Sequence, residues 1–392
     1  MEFTPKLMEL TPKFLIWLWP ICTFIAILGC LYALIAAGLL WQFAQKCVSG
    51  NSSNRPVSVL KPLYDTEPEL EANLTSFCGQ NYGGEIELIF GLQKEDDPAS
   101  LVVERLRSRC PERKIRLCID PRPHGANRKV SNLINMLPHA SHDLIVLSDS
   151  DIRVAASYLE NVISALEEPG VGMVTCLYCG VPAAGVWSRL AAEGINSHFL
   201  PNALVGLRLD FAEPCFGATI ALRRETLARI GGFQAFADQL ADDYAMGMAI
   251  RRLGLRVVIP HFVVSHVCYD RSFADLVRHE LRAARTIRNI DPWGYAGLVV
   301  TNPTPFALAA AALVGFDLAS LALLLVALAS RMIVSIQAGR LRGKERGGGA
   351  PWLSPFRDLL SFAIFVASFL PGAVVWRGHR FELRSDGTLT PS

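Results

Sequence analysis

The chain has 392 residues, 51% apolar and only 19% charged, with a mean hydropathy of +0.30; soluble enzymes carry roughly 25% charged residues, so a membrane protein is the first inference. Its 38 basic and 36 acidic residues balance to +2, which removes the polycation argument for a nucleic-acid partner. Ten cysteines are scattered along the length, with Cys22 and Cys30 inside an apolar run, so they imply no disulfide framework and fit a reducing compartment.

From Phe14 to Ala44 no charged residue occurs, a stretch longer than the roughly 20 residues that cross a bilayer core as a helix. It is too long for a signal-peptide core, and Trp41, Gln42 and Lys46 follow it in place of a small-residue cleavage site. Residues 1–50 therefore read as a retained transmembrane anchor.

Residues 51–290 carry most of the charge and turn residues and can bury a core of their own. Ser58–Pro62, Ile86–Gly91, Ile115–Ile119 and Leu144–Ser148 are short apolar runs ending in polar or turn residues, the pattern of buried parallel strands. Helical stretches fall between them at Pro68–Phe77, Ala99–Arg109 and Arg128–Leu137. This alternation predicts a doubly wound α/β sheet that binds ligands outside the carboxyl ends of its strands. No Gly-x-Gly-x-x-Gly or Walker loop follows a strand, so standard dinucleotide and P-loop chemistry drop out.

The polar residues at those strand ends carry the chemistry. Asp96-Asp97-Pro98 reads either as the cap of a helix starting at Pro98 or as a carboxylate that accepts hydrogen bonds from a nucleotide base or ribose. Lys129, opening the next helical stretch, is a phosphate candidate. Asp149 and Asp151 leave a buried strand two residues apart and point to one side, which suits magnesium or manganese held with diphosphate oxygens; a solvated turn is the alternative. Cys176 and Cys179 lack a second Cys or His pair at zinc spacing and read as structural. Asp242 and Asp243 precede a helix predicted over Tyr244–Leu253. Two adjacent carboxylates in apolar surroundings are costly unless one is raised in pKa, so one is a candidate general base and a helix cap the alternative. Arg282, Arg285 and Arg288 recur every three residues along a helical stretch from Arg278 to Arg288, to bind diphosphate or to face a membrane.

Beyond 290 the chain turns apolar again. Tyr295–Ile336, with Asp317 near its middle and Arg331 near its end, is long enough for two short passes joined at the Asp, or for one pass plus a surface helix. Leu359–Trp376, broken by Pro371 and Gly372, favours a kinked or re-entrant helix. Between these runs Arg340, Arg342, Lys344 and Arg346 form a basic loop that the positive-inside rule assigns to the cytoplasm, and the tail with Arg377, Arg380 and Arg384 is basic too. Residues 291–392 read as a C-terminal membrane region with a basic cytoplasmic loop.

Several pieces in this order resemble the ceramide glucosyltransferase family between Val57 and Gly387: Ser58-Val59-Leu60-Lys61-Pro62-Leu63, Asp96-Asp97-Pro98-Ala99, Asp149-Ser150-Asp151-Ile152-Arg153-Val154, Gly231-Gly232-Phe233 through Ala235-Phe236-Ala237 to Asp242-Asp243-Tyr244, and Trp376-Arg377-Gly378-His379-Arg380-Phe381. The resemblance implies a membrane-anchored inverting glycosyltransferase of GT-A fold, with a UDP-sugar donor, a lipid acceptor and a divalent cation, its catalytic domain cytoplasmic. It implies that Asp97 holds the uridine, that Asp149 and Asp151 serve the metal side, and that Asp243 is the catalytic base. It places His198 at the donor, Cys215 on the acceptor side and Arg282 at the departing diphosphate; beside these, Lys129 and Arg285 are donor-side candidates and His279 an acceptor-side candidate. The family's Arg-Trp pair is Arg282-Ala283 here. Arg278-His279-Glu280-Leu281-Arg282 and Ala284-Arg285-Thr286-Ile287-Arg288 resemble the bacterial hopanoid-biosynthesis branch, which implies a bacterial inner membrane and N-acetylglucosamine in place of glucose. The rivals are a processive polysaccharide synthase, which needs more spanning helices and the missing Trp, and a catalytically inactive lipid-binding homologue, motivated by Ala283.

Overall fold

The computed structural model describes residues 6–46, 53–341, 350–371, 374–376, 379–383 and 389–391. In chain order the elements up to the second strand pair are α1 (Lys6–Gln45), β1 (Val57–Pro62), α2 (Leu70–Cys78), β2 (Ile86–Leu92), α3 (Ala99–Arg109), β3 (Lys114–Ile119), α4 (Arg128–Met136), β4 (Leu144–Leu147) and β5 (Ile152–Arg153). Then come α5 (Tyr158–Glu167), β6 (Val171–Thr175), β7 (Leu177–Pro182), α6 (Gly185–Gly194), α7 (Leu200–Arg208), β8 (Ile220–Arg223), α8 (Arg224–Arg229), α9 (Asp242–Arg252), β9 (Arg256–Val258) and β10 (Val263–Cys268). The chain continues through α10 (Phe273–Ile290), α11 (Pro292–Gly297), α12 (Pro303–Leu313), α13 (Leu318–Leu341) and α14 (Ser354–Ser368) to the small antiparallel sheet β11 (Val374–Trp376), β12 (His379–Leu383) and β13 (Leu389–Pro391).

The main sheet has the order β3-β2-β1-β4-β8-β6-β9. The four strands expected from sequence are its parallel half, with Leu60 beside both Ile89 and Leu147. β8 runs antiparallel to both β4 and β6, so the sheet is mixed. Alternation along β1 sends Val57 and Val59 to one face and Leu60 to the other. The first face packs on Leu74 and Phe77 of α2, Val103 and Leu106 of α3 and Val162 of α5. The second packs on Val130 and Leu133 of α4 and Met246 and Ile250 of α9. Each such buried side chain contributes about 1.5–3 kcal/mol. The expected helix at Pro68 starts later, at Leu70, because Glu69 takes a left-handed backbone (φ 66°) that no helix can include.

A second sheet, β5-β10-β7, lies beside the first; His266 of β10 is opposite Ile152 and next to Gly180. This sheet joins the strand-end aspartates to the long apolar helices, because Leu177 and Cys179 of β7 share a core with Ala37 and Leu40 of α1, Leu204 of α7 and Val334 and Ala338 of α13.

By length and composition, Trp17–Gln45 and Leu318–Leu341 can each cross a membrane, with 29 and 24 residues. The break in the second apolar run falls at Asp317 as expected: Gly315 and Phe316 turn with positive φ, and Asp317 Oδ1 accepts from Ser320 N (2.8 Å) to cap α13. The first piece is shorter than a pass. α12 has 11 residues, about 16 Å of helix, and qualifies as a span only when joined to Pro292–Thr301 across a 58° bend. The third run forms α14, 15 residues ending before Pro371, about 22 Å of helix against a hydrocarbon core of roughly 30 Å. Arg342, Lys344, Arg346, Arg377 and Arg384 lie outside the described residues.

Candidate active site

Strand β4 delivers Asp149 at the carboxyl edge of the sheet, and the neighbouring strand fixes it there. Lys61, at the end of β1, is 1% exposed; its Nζ donates to the Asp149 carbonyl (2.7 Å) and to Ser148 Oγ (3.3 Å) and sits 3.8 Å above the Phe77 ring. Burial pushes this ammonium down to about 7, against the opposing pull of Asp149, Asp151 and Glu67.

Helix α4 brings the second cation. Asn127 caps it by accepting from Val130 N (3.1 Å), and the same side chain donates to Gln239 O (2.8 Å) and to Asp242 Oδ1 (3.2 Å). The start of α4 is thus tied to the start of α9. Lys129 Nζ then lies 2.6 Å from Asp149 Oδ1 and 4.0 Å from Asp242 Oδ2. Burial opposes its charge, but Asp149, Asp242 and Asp243 outweigh that and hold the ammonium above its ordinary value.

Asp243 sits in the first turn of α9, where its Oδ1 accepts from Tyr244 N (2.8 Å) and its Oδ2 from Gly217 N (2.7 Å). Burial and then Asp242 raise its pKa to about 6, partly offset by Lys129 and by the two backbone amides. Asp242 is raised as well, chiefly by burial. Gly217 marks where these groups converge. A Cβ there would stand 3.2 Å from Asp243 Oδ2, 3.2 Å from Lys129 Nζ and 3.5 Å from Asp149 Oδ2, so any side chain would crowd the gap.

Asp151 points to the same region from the start of β5. Its Oδ1 is buried and accepts no hydrogen bond, and the nearest cationic candidate is His266 Nδ1 at 3.6 Å. Tyr178 of β7 lies over His266 (5.5 Å between rings), and its phenol is raised by burial and then by Asp243, Asp151 and Asp149. Among the described residues no three His, Cys, Asp or Glu side chains form a metal-binding group. A divalent cation here would therefore rest on Asp149 and Asp151, and the orphaned Asp151 oxygen suits that role.

Asp97 reaches the same sheet edge but two strands away, about 10 Å by strand spacing. Its two oxygens accept from Ala99 N (3.0 Å) and Asp65 N (3.1 Å), so it performs the capping role weighed from sequence, although the helix starts at Ala99 and not at Pro98.

The other expected site residues are not gathered at Gly217. His198 lies on a π-helical turn, Ile195–Phe199, with Nε2 2.8 Å from Arg331 Nη2 of α13 and 3.3 Å from Asp358 Oδ1 of α14. Cys215 is the exception, two residues before Gly217 and buried beneath α9, with its sulfur 3.5 Å from Met173 Sδ and its thiol raised by burial and then by Asp243. His279 is 3.7 Å from Asp270. Arg285 donates to Leu370 O (3.4 Å) and Arg288 to Ser368 O, so these two cover the carboxyl end of α14. Arg282 stays partly exposed on α10. Sequence reasoning missed Lys61, Tyr178, Gly217 and His266. Only Lys61 carried a signal, as a lone charge inside an apolar strand.

The sequence profile of glycosyl transferase family 21 matches residues 21–389. Ceramide glucosyltransferase 1 of Caenorhabditis elegans is 24% identical over 386 residues, 95% of this chain and 80% of the relative. Ceramide glucosyltransferase 3 of the same organism is 25% identical over 394 residues, covering 95% and 83%. Among solved structures, the mannosyltransferase PcManGT from Pyrobaculum calidifontis, in complex with GDP-Man and Mn2+, is 20% identical with a TM-score of 0.48 over 88% of this chain and 98% of that one. The chain belongs to glycosyl transferase family 21 and is a glycosyltransferase of α/β architecture.

Proposed function

We propose that the protein transfers a hexose, glucose or N-acetylglucosamine, from a UDP-sugar to a hydroxyl of a membrane lipid of ceramide or hopanoid type, with inversion at the anomeric carbon. The supporting observation is the convergence of Asp149, Lys129 and Asp243 on the Gly217 gap, in a unit whose second sheet packs on two candidate membrane helices. The names of the two nematode relatives support a lipid acceptor.

In this reading Asp243 removes the acceptor proton as the hydroxyl oxygen bonds to the anomeric carbon. The bond from that carbon to the UDP β-phosphate oxygen breaks, and UDP leaves with the electron pair. A base with a pKa near 6 is ionised at neutral pH yet basic enough to take the proton. Lys129 sets a cation next to the gap, and Asp97, at the same sheet edge, takes the part of holding the uridine. Asp149 and Asp151 would hold a magnesium or manganese ion, which supplies charge neutralisation for the diphosphate. Residues 1–50 and 291–392 serve as membrane anchor and membrane region, with residues 51–290 on the cytoplasmic face.

The test is UDP release by the detergent-purified full chain, given UDP-glucose or UDP-N-acetylglucosamine with ceramide or a polyhydroxylated hopanoid. Release that depends on lipid and is lost in Asp243→Asn is expected. Lipid binding without UDP release would instead support the inactive homologue.

A further inference from the structure

The membrane side of the protein holds a second cluster of buried charge. Arg331, inside the candidate span α13, is 2% exposed, and Asp358 of α14 is fully buried. Arg331 Nε lies 2.8 Å from Asp358 Oδ1, and its Nη2 donates to Ser197 O (2.8 Å) and to His198 Nε2 (2.8 Å). Asp358 Oδ2 also accepts from Thr304 N of α12 (3.2 Å). Asp358 Oδ1 also approaches His198 Nε2, at 3.3 Å. The cluster ties α12, α13 and α14 to the π-helical turn before α7.

A continuous line of contacts runs from that turn to the candidate active site. Phe199, next to His198, stacks on Tyr178 (4.2 Å between centroids, 19° between planes) and meets Phe216 edge-on (5.3 Å, 82°). Thr175 Oγ1 pins Phe216 from both sides, accepting from its N (2.9 Å) and donating to its O (2.8 Å). The next residue is Gly217, whose N–H holds Asp243 Oδ2. Tyr178 also leans on His266, which faces Asp151.

We infer that Arg331 and Asp358 are positioning residues for the transfer: through His198, Phe199 and Phe216 they fix the Gly217 amide and so the orientation of the Asp243 carboxylate. The catalytic half of the inference rests on the reading of Asp243 as the base. Stability alone gives little reason for the pair, because a buried ion pair exchanged for apolar residues of similar size is often neutral or stabilising. Ionisable residues inside membrane segments are commonly functional.

The experiment compares the full chain in detergent with Arg331→Met/Asp358→Leu, which removes both charges together, with Phe199→Leu, and with both sets combined. Hydrogen exchange is followed in the peptide containing Phe216 and Gly217, and kcat and donor KM in UDP release from UDP-glucose with ceramide. The charge-free pair should keep its melting temperature, speed exchange at Gly217 by about tenfold, and lower kcat by about as much with donor KM within about twofold. Adding Phe199→Leu should cause little further change, since both act on one line, and Asp358→Glu should keep wild-type behaviour. Wild-type exchange at Gly217 in the charge-free pair overturns the inference. Should that variant fail to fold, Phe199→Leu decides: faster exchange at Gly217 with α13 and α14 as protected as before supports the line, and unchanged exchange refutes it. Asp243→Asn with wild-type turnover would defeat the base reading while leaving the exchange result standing, so the two failures are distinguishable.

Discussion

Two groups of buried charge in this protein differ in their balance. At the sheet edge four carboxylates, Asp149, Asp151, Asp242 and Asp243, face two ammonium groups, Lys61 and Lys129. Among the helices of the C-terminal region Arg331 meets Asp358 and Arg357 meets Glu280, one against one. The first group is left with excess negative charge, two oxygens without a hydrogen bond, Asp151 Oδ1 and Asp242 Oδ2, and a gap that a glycine keeps open. The second is balanced in charge, pair by pair. Excess charge in a partly open cleft raises pKa values and attracts a cation, which is what a reaction site needs. A neutral buried pair holds helices in register.

The comparison can be broken from either side. The largest effect is expected for Asp243→Asn, which should lower turnover by about 10²–10⁴-fold. The same change should raise the melting temperature at neutral pH. Asp243 is raised to about 6 in the folded chain from an ordinary 3.8, so the folded state holds the extra proton between those values and stability is lost as pH climbs through them. Opposite signs for activity and stability mark the residue as functional, and thermal scans at pH 5 and 7 check the sign.

Gly217→Ala comes next. Its Cβ would meet Asp243 Oδ2 and Lys129 Nζ at 3.2 Å, and the displacement should cost about a hundredfold in kcat while circular dichroism stays native. On the membrane side, Asp358→Asn alone leaves Arg331 buried without its counter-charge and should destabilise by about 3–5 kcal/mol, against near zero for Arg331→Met/Asp358→Leu. Equal destabilisation in both would mean that charge balance is not what this region depends on.

Lys129→Met sharpens the site side. Lys129 lowers the Asp243 pKa, so its loss should move the acid limb of the pH–kcat profile upward from about 6; an unmoved limb would separate Lys129 from the base. Smallest is His279→Ala, an exposed side chain whose ion-pair contact is Asp270 at 3.7 Å, expected to change kcat by less than about threefold because exposed pairs contribute little.

Most of the sheet was legible because buried parallel strands appear as unbroken apolar runs; Ser58–Pro62 and Leu144–Ser148 match β1 and β4 to within a residue. Asp149 and Asp243 were legible because each stands where a strand or helix must meet ligand or solvent. Gly217 and His266 were not, since their partners are brought close only by the antiparallel β8 and the second sheet, which no local pattern reports. The resemblance places His198 at the donor; the fold sets it against Arg331, in the second apolar run, and Asp358, just before the third.

The central claim, that the sheet-edge cluster transfers sugar to lipid, is tested most directly by mass spectrometry of lipids from a host expressing the full chain, beside a host expressing Asp243→Asn at equal level. A lipid bearing one added hexose or N-acetylhexosamine in the first host and missing from the second is the predicted result. The same glycolipid in both hosts would contradict it.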